Sequence, residues 1–179
     1  FIEGARSKDY DVLVMDSPLT PHYIGKLEQK DSDVTFKRVD SDTLDKLIDK
    51  GEERESGLTD DEKQKLEPLF KESVPEQFMV QFENMGEDEP PVSVVQSEFM
   101  RRFSEQQKLS GGMNTGMPEM YNLVVNTNHP LVKSVAETKT EKKRKKLVKQ
   151  MADLGLLSRG LLTGESLSEF VKRSVELIK

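Results

Sequence analysis

At 179 residues the chain can form one ordinary domain or two small ones, and with 34% hydrophobic, 34% charged and only 6% aromatic residues its apolar side chains suffice for small or divided cores. A formal charge of −6 opposes general nucleic-acid affinity and points to protein partners. The absence of cysteine excludes disulfides and thiolate metal sites, His22 and His129 cannot make a metal site unaided, and no apolar run approaches the roughly 18 to 20 residues that span a bilayer.

Residues Phe1 to Arg6 read as the interior or end of a helix. With no initiator Met and no basic, apolar leader, the expectation is a cytoplasmic fragment of a longer protein. The apolar run Tyr10 to Met15 predicts a buried strand. Asp16, Ser17 and Pro18 stop it, with Ser17 as cap and Pro18 in the first position of a helix that carries His22, Tyr23, Ile24 and Leu27 on one face. A second strand is expected from Val34 to Val39, so that residues 1–48 form a small βαβ unit. Residues 40–55 are mainly acidic, with a weak apolar cluster at Leu44, Leu47 and Ile48. They read as a short charged helix over 42–50 or as linker, the linker proper being 49–57.

A second unit, 58–179, opens on Thr59 and Glu62, a capping box for a helix to about Ser73 in which Pro68 predicts a kink or restart. Phe78, Val80 and Phe82 alternate as a half-buried strand, the chain turns between Gly86 and Pro91, and Val92 to Val95 supplies the partner strand. Ser97 caps a helix bearing Phe99, Met100 and Phe103. Residues 108–120, rich in Gly and Met, predict a mobile loop, and Tyr121, Leu123 and Val125 a third strand. Pro130 opens a short helix through Ala136. Thr138 with Glu141, and Ser166 with Glu169, suggest two further capping boxes on the last two helices, separated by a bend between Gly155 and Gly160. The fold class is α+β: the βαβ unit, then a three-stranded sheet with helices and a C-terminal helical bundle.

Few residues in the chain point to chemistry. The basic run from Lys139 to Lys149 suits a nucleic-acid-binding module, but it opens an amphipathic helix without the aromatic interleaving that base stacking uses, and a solvated face is the better reading. Asp60, Asp61 and Glu62 are explained by the positive end of their helix. Gly111, Gly112 and Gly116 lack the Lys and Ser or Thr that follow a phosphate loop. There is no candidate triad or metal cluster, so no catalytic residue, metal ligand or cofactor site is assigned to this fragment. Met113 and Met117, flanked by Gly, Asn and Thr, read as exposed, and flexible, polarizable Met suits a surface that accepts many apolar shapes. The last two helices carry more apolar surface than three short strands can cover. Pairing with the same helices of a second copy, as a four-helix bundle, is the economical solution, and the interface assigned to it comprises Leu147, Met151, Leu154, Leu157, Leu161, Leu167, Phe170, Val171, Val175 and Ile178.

The order and spacing of several motifs resemble the 90-kDa heat-shock chaperone family in its bacterial form. They are Phe1-Ile2-Glu3-Gly4 before the run Tyr10 to Met15, the turn Asp16-Ser17-Pro18, Pro118-Glu119 ahead of the strand Tyr121 to Asn126, and the turn Asn126-Thr127-Asn128-His129-Pro130-Leu131-Val132. The bend Leu154-Gly155-Leu156-Leu157 and the final Phe170-Val171-Lys172-Arg173 complete the set. The resemblance implies that residues 1–48 end the family's middle domain and that 58–179 are its C-terminal dimerisation domain. It implies that ATP and Mg are held by an N-terminal domain of the parent protein, so that this fragment is not itself the ATPase. It places client contacts on the helix after Asp16 and on the amphipathic segment before the third strand, at His22, Tyr23, Phe99, Met100 and Phe103, with Met113 and Met117 as extensions. The implied partners are a second copy and unfolded client proteins, with neither nucleic acid nor membrane. The end at Leu177-Ile178-Lys179, without an acidic co-chaperone-docking tail, fits a bacterial or organellar source.

Overall fold

Of the three capping boxes that the sequence suggests, one forms. Thr59 Oγ1 accepts from the Glu62 N–H at 3.3 Å while the Glu62 carboxylate accepts from the Thr59 N–H at 2.8 Å, which starts a helix at Asp60–Ser73. The computed structural model describes residues 2–17, 19–47, 54–97, 99–103 and 119–178. Its chain divides into two units, residues 1–50 with 96–119 and residues 51–95 with 120–179.

In the first unit, α1 spans Ile2–Ser7, α2 Thr20–Lys30 and α3 Leu44–Leu47, and residues 99–103 are helical. The expected βαβ unit is not there. Residues 10–17 and 34–38 pair in no sheet, and Leu13 and Val14 are 72% and 79% exposed. A strand is held by the ladder hydrogen bonds of a neighbour, and two short parallel strands alone do not form a stable sheet in water. Among the described residues, the buried cluster of this unit is Ala5 and Leu47, with Tyr10, Val12 and Val39 packed on it. The helix after Asp16 also starts later than predicted. Ser17 Oγ accepts from the Leu19 N–H at 3.2 Å, but Leu19 is the cap residue of α2 and Pro21 fills its first turn. Ser97 behaves as expected, its Oγ accepting from the Met100 N–H at 3.3 Å.

The second unit is built on a three-stranded sheet. With α4 as the helix Asp60–Ser73, the chain continues through β1 Phe78–Glu83, β2 Val92–Val95, β3 Tyr121–Asn126, α5 Pro130–Glu137, α6 Glu141–Ser158 and α7 Gly164–Ile178. The strand order is β1-β3-β2. β3 runs parallel to β1, Phe78 opposite Tyr121, and antiparallel to β2, Val92 opposite Val125. The partner of β2 is therefore β3, not β1 as the short turn suggests. Pro68 neither stops nor restarts α4.

One face of the sheet carries Phe78, Val92, Val94, Leu123 and Val125 into a core completed by Leu66 and Phe70 of α4, Val132 and Val135 of α5, and Val148, Met151, Ala152 and Leu156 of α6. Phe70 meets Phe82 edge to face at 6.2 Å, and Phe78 stacks on Tyr121 at 5.3 Å. Gly155 lets α6 lie close on β2, since a Cβ there would sit 3.0 Å from Val92 Cγ1. The turn after β3 is pinned from within: Asn126 and Thr127 are fully buried, and Asn126 Nδ2 donates to the Gly86 carbonyl at 2.7 Å. Asn128 Nδ2 donates to Met85 at 3.0 Å, and its Oδ1 accepts from the Gly57 N–H at 2.6 Å. His129 Nδ1 then caps α5 by accepting from the Leu131 N–H at 3.0 Å, and burial lowers its pKa, favouring the neutral ring that can accept.

The two later boxes fail for one reason, that the helices begin elsewhere. α6 starts at Glu141 with Thr140 as cap residue, without a side-chain bond, while Thr138 ends α5, its Oγ1 donating to the Ser134 carbonyl at 3.0 Å. α7 starts at Gly164, which places Ser166 inside the first turn rather than before it.

Candidate functional site

Among the described residues, uncovered apolar side chains include one group in each unit that the sequence pattern also singles out. The first is on α6 and α7. Helix α7 is strongly amphipathic in sequence but buries only Phe170, with Leu167 packed beside it against the core. Val171 and Val175 remain 52% exposed and Ile178 85%. Together with Gly164 and Ser168 they recur at alternating intervals of four and three, the 3.5-residue repeat with which helices pack along a common seam. On α6 and the bend after it, Leu154, Leu157 and Leu161 follow the same spacing and are also exposed. Large exposed apolar patches of this kind mark interaction sites.

The interface set drawn from sequence therefore divides. Met151 and Phe170 belong to the core of their own chain, Leu147 and Leu167 are partly buried against it, and Leu154, Leu157, Leu161, Val171, Val175 and Ile178 face outward. Periodicity shows that a helix has an apolar face. It does not divide that face between the chain's own core and a partner.

The charges around this face are largely engaged. Lys145 pairs with Glu72 at 3.7 Å and Glu141 at 3.4 Å, Lys146 with Glu176 at 2.5 Å and Lys149 with Asp153 at 2.8 Å, while Arg144 donates to the Thr138 carbonyl. Much of the basic run thus serves contacts within its own unit, which leaves a nucleic-acid interface without structural support. Asp153 is 1% exposed and also accepts from Arg173. The sequence spacing did not single out this buried carboxylate.

The second surface lies within the first unit. Tyr23 on α2 is 57% exposed, Phe99 76% and Phe103 41%. His22 is exposed as well, and Met100 half-buried. Phe99 and Phe103 stack at 6.4 Å, and Phe99 borders an open cavity of about 510 Å³ lined also by Glu28, Val34, Phe36 and Arg102. Arg102 anchors the helical turn. Its two terminal nitrogens donate to Glu28 at 2.8 and 3.1 Å, and one also reaches the Phe36 carbonyl at 3.0 Å. The Glu28 carboxylate also accepts from the Phe36 N–H at 2.9 Å, and Arg102 and this N–H lower its pKa to about 2. Met113 and Met117 lie outside the described residues. Among the described residues no group of His, Asp and Glu could hold a metal ion, and no helix is long and apolar enough to cross a membrane.

Comparison with known proteins gives a consistent family. The model of the family described as Hsp90 protein matches residues 1–179. Among curated relatives, the chaperone protein HtpG of Porphyromonas gingivalis is 33% identical over 247 residues, covering 99% of this chain. Those of Bacteroides fragilis strain 638R and Bacteroides thetaiotaomicron are 32% and 31% identical over 248 residues, again covering 99%. The chain spans about 36% of the length of these relatives. Since the matched span is longer than the chain, the relatives carry residues within it that have no counterpart here.

Proposed function

Because this chain belongs to the Hsp90 family, we propose that it is the part of an ATP-driven chaperone where two copies pair and where unfolded proteins are held. Residues 1–48 correspond to the end of the middle domain and 58–179 to the dimerisation domain. Binding of ATP and Mg belongs to another domain of the whole protein. Pairing α6 and α7 with their counterparts gives a four-helix bundle and tethers two ATPase arms at a high effective concentration. Tyr23, Phe99 and Phe103 offer stacked or projecting apolar groups for exposed segments of a client, with His22 and Met100 beside them and Met113 and Met117 adding adaptable contacts. A cytoplasmic setting belongs to the same proposal.

The observation that carries the pairing is the exposed seam Val171, Val175 and Ile178 on a helix whose inner stripe is already buried. Sedimentation equilibrium of the 179-residue chain tests it. Dimers are expected at micromolar concentration, and monomers for Val171→Asp with Val175→Asp, whose positions contribute nothing fully buried to the chain's own core. A wild-type monomer at tens of micromolar would refute the proposal.

A further inference from the structure

The two apolar stripes of α7 lie side by side, because neighbouring residues in a helix differ by about 100°. Leu167, Phe170 and Ser174 point toward the core, and Val171, Val175 and Ile178 lie roughly a quarter turn away. Packing of Phe170 and Leu167 in the core favours the docked stripe, but burial of apolar surface is itself non-directional. Polar contacts add a directional distinction. Arg173 donates to the buried carboxylate of Asp153 and, through Nε, to Gln150 Oε1 at 2.9 Å. Gln150 Nε2 donates to Ser174 Oγ at 2.7 Å. Lys149 closes the group on the α6 side, its ammonium reaching both Asp153 at 2.8 Å and the Ser73 carbonyl at 3.0 Å. A roll of α7 would remove the guanidinium and leave Asp153 buried with one partner fewer, and removing a partner from a buried ion pair is strongly unfavourable.

We propose that Asp153, Arg173, Gln150 and Ser174 are positioning residues for self-association, fixing the one rotation of α7 that turns the Val171, Val175 and Ile178 seam toward a second copy. This rests on the dimer reading above. The polar set adds a fixed direction to a helix that carries two neighbouring apolar stripes, as a single buried polar residue fixes register in a coiled coil.

The test compares the wild-type chain with Asp153→Leu plus Arg173→Met and, separately, with Gln150→Leu plus Ser174→Ala. The first pair removes both charges together, so no orphan is left. Lys149 keeps the Ser73 carbonyl and is 37% exposed. Each variant is measured for melting temperature, for dimer dissociation constant, and for the yield of the disulfide between two copies carrying Val175→Cys, a clean probe because the chain has no cysteine. The expected result is near-native melting with a dissociation constant raised about tenfold or more, about 1.4 kcal/mol, and a lower cross-link yield. Arg173→Lys, which keeps the charge, should recover part of both. A folded variant of either kind with wild-type association and cross-linking would overturn the positioning role while leaving the dimer standing. A monomeric wild type would overturn the dimer itself. If the first variant does not fold, the second decides by the same readouts.

Discussion

Glu28 shows how much of a surface can depend on one ion pair. Arg102 grips its carboxylate with two nitrogens and the Phe36 N–H adds a third donor, so the ionised form is favoured and the pKa falls from 4.5 to about 2. A group depressed in the folded state adds stability above its unfolded pKa and loses it as pH falls through the folded value. The contribution is therefore intact above about pH 4.5 and disappears toward pH 2. In Arg102→Met the Glu28 midpoint, followed by carboxyl carbon NMR, should rise toward 4.5 without reaching it, because the Phe36 N–H remains. An unchanged midpoint would mean that the backbone donor alone sets it. Nothing in the spacing of Glu28 and Arg102, 74 residues apart, announced this pair, whereas Ser97 and His129 were legible as cap and turn because their partners lie within three residues.

Elements follow the same rule of locality. α4 is readable because Thr59 and Glu62 satisfy each other's backbone donors across one turn, and Thr59→Ala should cost about 1 kcal/mol, seen as a lower urea midpoint with an unchanged slope. An unchanged midpoint would show that packing of Leu66 and Phe70 holds the helix end without the cap. Strands are less readable. Alternation at Phe78, Val80 and Phe82 identified β1, and the same pattern identified β3, but the insertion of β3 between β1 and β2 depends on which edges the helices leave open. The run from Tyr10 to Met15 has strand composition and no strand, since β propensity reflects the fit to a pleated neighbour more than any backbone preference. The boxes at Thr138 and Ser166 matched the motif and missed the helix starts by two or more residues, where the chain leaving α5 and the positive φ of Gly164 decide.

At the scale of the whole molecule the two units differ in what holds them. The second has a continuous core from sheet and four helices, while among the described residues the buried cluster of the first comprises Ala5 and Leu47 with Tyr10, Val12 and Val39 beside them. Local opening free energies follow such differences, so amides of α1 and α2 should exchange with deuterium well before those of β3 and α6. Pairing adds a second distinction. If α6 and α7 close a bundle between copies, dimerisation stabilises only the unit that carries them, and its apparent stability rises with protein concentration by mass action. Raising the concentration tenfold above the dissociation constant should then slow exchange at Leu123 and Val148, fully buried in the core of that unit, while leaving α2 unaffected. Exchange independent of concentration in both units would mean that the exposed seam at Val171, Val175 and Ile178 is not closed by a second copy. A wild-type concentration dependence retained by Val171→Asp with Val175→Asp would place the contact elsewhere on the chain.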